Sequence, residues 1–105
     1  MSFGVMGGIM QAQGHAQMMI RLFDYHQNPQ AACDAPRWRI SENNTVGFEP
    51  GFKPEVIQEL QERGHIIDEL ANDYSFFGGA QMILKLTDGY CGASDPRKDG
   101  QAVGF

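Results

Sequence analysis

The chain has 105 residues, 42% of them hydrophobic, and carries 13 acidic against 8 basic side chains for a formal net charge of −5. That is one domain's worth, residues 1–105, with room for a shallow core, and it lacks the basic footprint of a nucleic-acid binder. No apolar run approaches the roughly 20 residues that span a bilayer, and Met1-Ser2-Phe3-Gly4 has neither the basic region nor the cleavage site of a secretory leader, which leaves the compartment open.

The opening apolar run, Phe3 to Met6, reads as a strand that Gly7-Gly8 breaks. From Met10 to about Gln27, apolar residues at helical spacing (Met10, Met18, Met19, Leu22, Phe23) predict the longest helix of the chain. Gly14 inside it costs about 1 kcal/mol against alanine, which points to close packing against another backbone. Asn28-Pro29 suits the cap and first position of a short second helix running to about Asp34, and Pro36 closes it. Arg37–Ile40 and Val46–Glu49 read as strands joined by a polar turn, Ser41 to Thr45. Pro54 opens a third helix to about Arg63, with a Glu59–Arg63 pair on its surface and Gly64 as its C-cap. His65–Asp68 suits another strand, and Gln81–Leu86 with Tyr90–Ala93 a hairpin around Asp88-Gly89. The tail from Ser94 shows no usable period. Helices mixed with mainly antiparallel strands make an α+β pattern.

Three places have the residue types for chemistry. At Met6-Gly7-Gly8, two adjacent glycines followed by a helix let backbone N–H groups approach a ligand beside a positive helix end, as an oxyanion hole requires. The same residues equally suit a sharp turn. Arg37, in Ala35-Pro36-Arg37-Trp38, is either a fork for a carboxylate or a structural ion-pair partner. The run Gly92 to Gly100 is either a solvated loop or one whose Asp95 and Arg97 brace a site. Among the acids, the pairs Glu42/Glu49 and Asp68/Glu69 define no geometry by spacing. His15, His26 and His65 lack metal-ligand spacing, Cys33 and Cys91 form no CxxC and read as free thiols, and no phosphate loop or GxSxG is present.

Taken together, six segments resemble the γ-glutamyltranspeptidase family in order and spacing. They are Phe3-Gly4-Val5-Met6-Gly7-Gly8, Gln11-Ala12-Gln13-Gly14-His15, Asn28-Pro29-Gln30-Ala31-Ala32, Ala35-Pro36-Arg37, Glu49-Pro50-Gly51, and Gly92-Ala93-Ser94-Asp95-Pro96-Arg97-Lys98-Asp99-Gly100-Gln101-Ala102. Ala12 stands where a family variant has proline, and Phe105 where a terminal tyrosine is usual. The resemblance implies the C-terminal portion of a four-layer αββα sandwich of the N-terminal-nucleophile hydrolases. It implies transfer of a γ-glutamyl group to water or an amine by an N-terminal threonine, with no cofactor and no metal. Gly7 and Gly8 would supply oxyanion N–H donors, and Arg37, Asp95 and Arg97 would support the site. The nucleophile itself is expected outside this chain, because Thr45 and Thr87 sit in predicted turns and match no family nucleophile. The chain alone is therefore expected to be inactive, or else to serve as a non-catalytic subunit or as part of a cephalosporin-acylase-type amidohydrolase. Its implied partners are the upstream small-subunit segment, the large subunit and a γ-glutamyl substrate. As an isolated piece it is expected to hide its methionine-rich helix face by forming a homo-oligomer.

Overall fold

The computed structural model describes residues 1–69 and 74–105. Its larger sheet is antiparallel, in the order β1 (Ser2–Met6), β5 (Gly79–Leu86), β6 (Gly89–Ser94). Met6 pairs with Gly79 at one end of the β1–β5 ladder, and Gln81 pairs with Ser94 at the same end of β5–β6. Alternation along these strands sends Val5, Ala80, Met82 and Ala93 to one face, which is covered by α1 (Met10–Met19) and α2 (Pro29–Asp34). The core consists of those four residues with Met18, Ala32 and Cys33, and Phe3 and Leu22 pack at its edge.

Gly14 does pack closely, but against a side chain rather than a backbone: a Cβ there would stand 2.6 Å from Val5 Cγ1. The first helix is shorter than the periodicity predicts. After Met19 it widens into a π-helical turn, Ile20–Asp24, in which Tyr25 N–H donates to Ile20 O at 3.0 Å. The second helix starts as expected, with Asn28 Oδ1 accepting from Ala31 N–H at 2.8 Å.

A smaller sheet runs β2 (Trp38–Ile40), β3 (Thr45–Phe48), β4 (Ile66–Ile67). Thr45 opens β3 rather than lying in the turn, and its hydroxyl meets Ser41 Oγ at 2.5 Å. β3 and β4 are parallel, the one exception to the antiparallel pattern among the described residues. The reason is α3 (Pro54–Glu62) between them, a crossover that returns the chain in the same direction after Gly64 at φ +95°. The free edge of β2 is covered by α1. Gln17 exchanges hydrogen bonds with Trp38 O (2.8 Å) and Trp38 N (3.1 Å), and Gln13 does the same with Ile40 O (2.9 Å) and Ile40 N (2.7 Å). Two carboxamides one helical turn apart thus satisfy the edge as another strand would.

The methionine-rich helix face needs correction. Met10 and Met18 are fully buried by the chain itself, because α1 lies directly on the larger sheet, and only Met19 and Phe23 remain exposed. Apolar side chains are also left open on the far side of that sheet, at Met6, Ile83 and Tyr90, and at the end of the helix, at Ile20 and Tyr25. Both cysteines are free thiols, as expected. Burial, with Asp95 adding to it, pushes the Cys33 thiol up to about 11. At pH 8 a thiol reagent should modify Cys91 and leave Cys33 at least ~100-fold slower until the chain is unfolded; equal rates would contradict the packing of α2.

Candidate functional site

β1 delivers the chain to Gly7 and Gly8, and α1 takes it away. Gly7 has φ +137° and Gly8 φ +59°, a path only glycine follows without strain. At Gly7 space is limiting as well, since a Cβ would stand 3.0 Å from Gly78 Cα and 3.2 Å from Met10 Cβ. The carbonyls of the two glycines are engaged, Gly7 O by Met10 N–H at 3.0 Å and Gly8 O by Gln11 N–H at 3.1 Å. Among the described residues neither glycine N–H is given to a main-chain acceptor, and both residues are exposed. The helix that follows has no side-chain cap and no acid in its first turn, so nothing there neutralises its positive end.

Gly78 and Gly79 support this corner from behind. A Cβ on Gly78, at φ +73°, would come within 2.3 Å of Met6 O, so the two double-glycine segments touch backbone to backbone. The segment carrying them is gripped at both ends. Arg37 Nη1 donates to Phe77 O at 3.1 Å, and Ala80 N–H donates to Asp95 Oδ2 at 2.8 Å. Arg37 Nη2 in turn donates to Asp95 Oδ2 at 2.6 Å, with both side chains wholly buried.

Arg97 completes the grip. Its Nη1 donates to Asp95 Oδ1 at 2.9 Å, and its Nε and Nη2 donate to the two oxygens of Glu49 at 2.6 and 2.5 Å, a two-bond fork. It also ties the end of α2 through Cys33 O at 2.8 Å and Ala35 O at 3.0 Å. Glu49 Oε2 accepts a further bond from Arg37 N–H at 2.6 Å. Burial alone would raise the Asp95 carboxyl. The bonds from Ala80 N–H and Arg97, with the charge of Arg37, outweigh it and hold the group below the usual carboxylate range. For Arg97, burial is likewise overcome by its bonds to Glu49 and Asp95, so its charge is held more firmly than in water. Arg21 donates to Ala35 O at 3.1 Å and to Pro36 O; burial and then repulsion from Arg37 and Arg97 lower its affinity for a proton.

Arg37, Asp95 and Arg97 therefore meet in one buried cluster, bound to each other and to the backbone of Phe77 and Ala80 on either side of Gly78-Gly79. Glu49 belongs to it just as fully, and spacing gave no sign of that. The available signal was an acid at the end of the strand that runs antiparallel to Arg37. Among the described residues no group of three His, Cys, Asp or Glu side chains stands close enough to hold a metal, and no helix is long and apolar enough to cross a membrane.

A family model described as gamma-glutamyltranspeptidase matches residues 1–105. The glutathione hydrolase-like YwrD proenzyme of Bacillus subtilis is 34% identical over 110 residues, covering 98% of this chain and 21% of the relative. The oxamate amidohydrolase proenzyme of Klebsiella pneumoniae is 32% identical over 111 residues, covering 100% of this chain and 21% of the relative. Among solved structures, cephalosporin acylase from Bacillus halodurans superposes with a TM-score of 0.85 at 46% identity, over 94% of this chain and 19% of that one. The chain thus spans about a fifth of the length of these relatives.

Proposed function

We propose, from the premise that this chain belongs to the γ-glutamyltranspeptidase family, that it is the C-terminal segment of an enzyme that moves a γ-glutamyl or similar acyl group to water or an amine. The nucleophile is a threonine outside these 105 residues. Its hydroxyl attacks the amide carbonyl while an amine takes its proton, the leaving amine departs with a proton, and water or a second amine then releases the acyl group. Negative charge develops on the carbonyl oxygen in both steps. The N–H groups of Gly7 and Gly8 receive it, and the uncapped start of α1 adds its positive end. The observation that carries this reading is the corner itself, where two exposed glycines keep their carbonyls bound and their N–H groups free of main-chain acceptors among the described residues. Arg37, Glu49, Asp95 and Arg97 are positioning residues, held behind that corner.

A second reading, favoured by the 46% identity to a cephalosporin acylase, keeps the same chemistry with an N-acyl amide as substrate in place of a γ-glutamyl compound. Parallel assays of γ-glutamyl-p-nitroanilide and glutarylated amines with the complete enzyme separate the two. The 105-residue chain alone is expected to release no p-nitroaniline. Turnover above background would show that the nucleophile lies within it and overturn the assignment.

The open face of the larger sheet, where Met6, Ile83 and Tyr90 are 56%, 54% and 73% exposed, is the surface we assign to the remainder of the enzyme. These side chains sit on the outward face of the sheet, spread from Met6 beside Gly79 to Tyr90 beside Lys85, and a second surface laid on that face would cover them together. The isolated chain is therefore expected to be a dimer or larger by light scattering at micromolar concentration, and Ile83→Lys should shift it to monomer. A monodisperse wild-type monomer would contradict this use of the face.

A further inference from the structure

We propose that Gly78 is the positioning residue that aims the Gly7 N–H at the reacting carbonyl; this deepens the acyl-transfer reading given above and rests on it. A peptide unit is planar and trans, so its C=O and N–H point in opposite directions. The unit that carries the Gly7 N–H also carries Met6 O. Gly78 lies against that oxygen: a Cβ on Gly78 would run into Met6 O and stand 3.5 Å from Met6 C. The same contact is met from Gly7, where a Cβ would stand 3.0 Å from Gly78 Cα and 3.6 Å from Gly78 N. Gly78 therefore backs the carbonyl edge of this peptide, and the N–H edge faces away from it.

The parts around this contact are held. Val5, the residue before Met6, is seated between two glycines, since a Cβ would stand 2.6 Å from Val5 Cγ1 if placed on Gly14 and 3.3 Å if placed on Gly78. Gly78 is buried and has no room to recede, because Arg37 holds the carbonyl of Phe77 before it and Asp95 holds the N–H of Ala80 after it. Arg37 and Asp95 are themselves paired and wholly buried. The soft element is Gly7, which has no Cβ and sits at φ +137°. A side chain at position 78 is thus relieved by turning the Met6–Gly7 peptide about Met6 ψ and Gly7 φ. That turn carries the N–H off its target. It weakens the hold on charge that develops in the transition state and leaves ground-state binding alone.

The test is Gly78→Ala in the complete enzyme, with kcat taken per mole of mature, folded protein. kcat should fall about 10- to 100-fold and KM should stay within about twofold. The Ki of a phosphonate analogue of the tetrahedral intermediate should rise by the factor that kcat loses. Gly64→Ala is the control for backbone strain alone. It opposes a φ of +95° at the end of α3 with nothing within 4 Å of its Cβ, and it should keep both kcat and Ki. A role limited to folding would lower the yield and melting temperature of Gly78→Ala and leave kcat and Ki of the folded protein at wild-type values, and that result overturns the proposal. Should Gly78→Ala not accumulate, Arg37→Met combined with Asp95→Ala releases both anchors of the segment without orphaning a charge between them. This double variant should show the same joint change of kcat and Ki, and wild-type values overturn the proposal equally. A loss of kcat in Gly8→Ala with none in Gly78→Ala would refute this role alone. No acyl transfer by the wild-type enzyme would instead overturn the function proposed above.

Discussion

Asp95→Ala should cost about 3–5 kcal/mol of folding free energy, the usual cost of leaving a buried charge without its partner. Arg37 is wholly enclosed, and among the described residues Asp95 is the one carboxylate its side chain meets. The same substitution releases Ala80 N–H and two bonds from Arg97. A domain of this size holds about 5–15 kcal/mol in total, so the variant should unfold at a much lower urea concentration or fail to accumulate. Adding Arg37→Met should recover part of the loss, because no orphaned charge then remains. The pH dependence follows from the same geometry. A carboxyl held below its unfolded value contributes stability that is present above the unfolded pKa and lost as pH falls through the folded one. Wild type should therefore lose this contribution below about pH 4, and the acid limb of the stability curve should flatten in Asp95→Ala. A urea midpoint within experimental error of wild type would mean the cluster does not hold the fold.

Gly8→Ala in the complete enzyme should lower kcat about 10²- to 10³-fold, the effect of losing one oxyanion donor, with a smaller change in KM. A Cβ at Gly8 meets nothing within 4 Å, so the substitution fits sterically. What it opposes is the φ of +59°, which costs a residue with a side chain about 1–2 kcal/mol. The peptide relaxes toward negative φ, and the N–H turns away from its target. Gly7→Ala makes a poorer test of catalysis, because its Cβ would press on Gly78 Cα and disturb the fold directly. Equal kcat values for wild type and Gly8→Ala, with the variant folded, would exclude the Gly8 N–H from the reaction.

Much of the fold was legible because local chemistry and tertiary packing agree along most of this chain. Asn28-Pro29 starts a helix, Gly64 ends one, and Asp88-Gly89 lies at the turn of the β5–β6 hairpin. The errors came where packing decides. The first helix keeps its apolar spacing past Met19, but the backbone widens there, and Arg21 within that turn reaches the carbonyls after α2. The methionines were read as a surface to be hidden, and two of them are core, because a spacing pattern gives a face and not what covers it. The strand pair β3–β4 was readable in its elements but not in its direction, which the α3 crossover sets. At the site, the glycine corner and the three residues Arg37, Asp95 and Arg97 were visible in the motifs. Glu49 also stood in a motif, Glu49-Pro50-Gly51, but its place in the cluster was not legible, since its partners lie 12 and 48 positions away in sequence.

The most direct test is a crystal structure of the complete enzyme bound to a phosphonate analogue of the tetrahedral intermediate. The anionic oxygen is expected about 2.7–3.1 Å from the N–H groups of Gly7 and Gly8. An oxygen held by other donors, with these two amides bound to main-chain carbonyls or directed into solvent, would contradict the acyl-transfer role given to this corner.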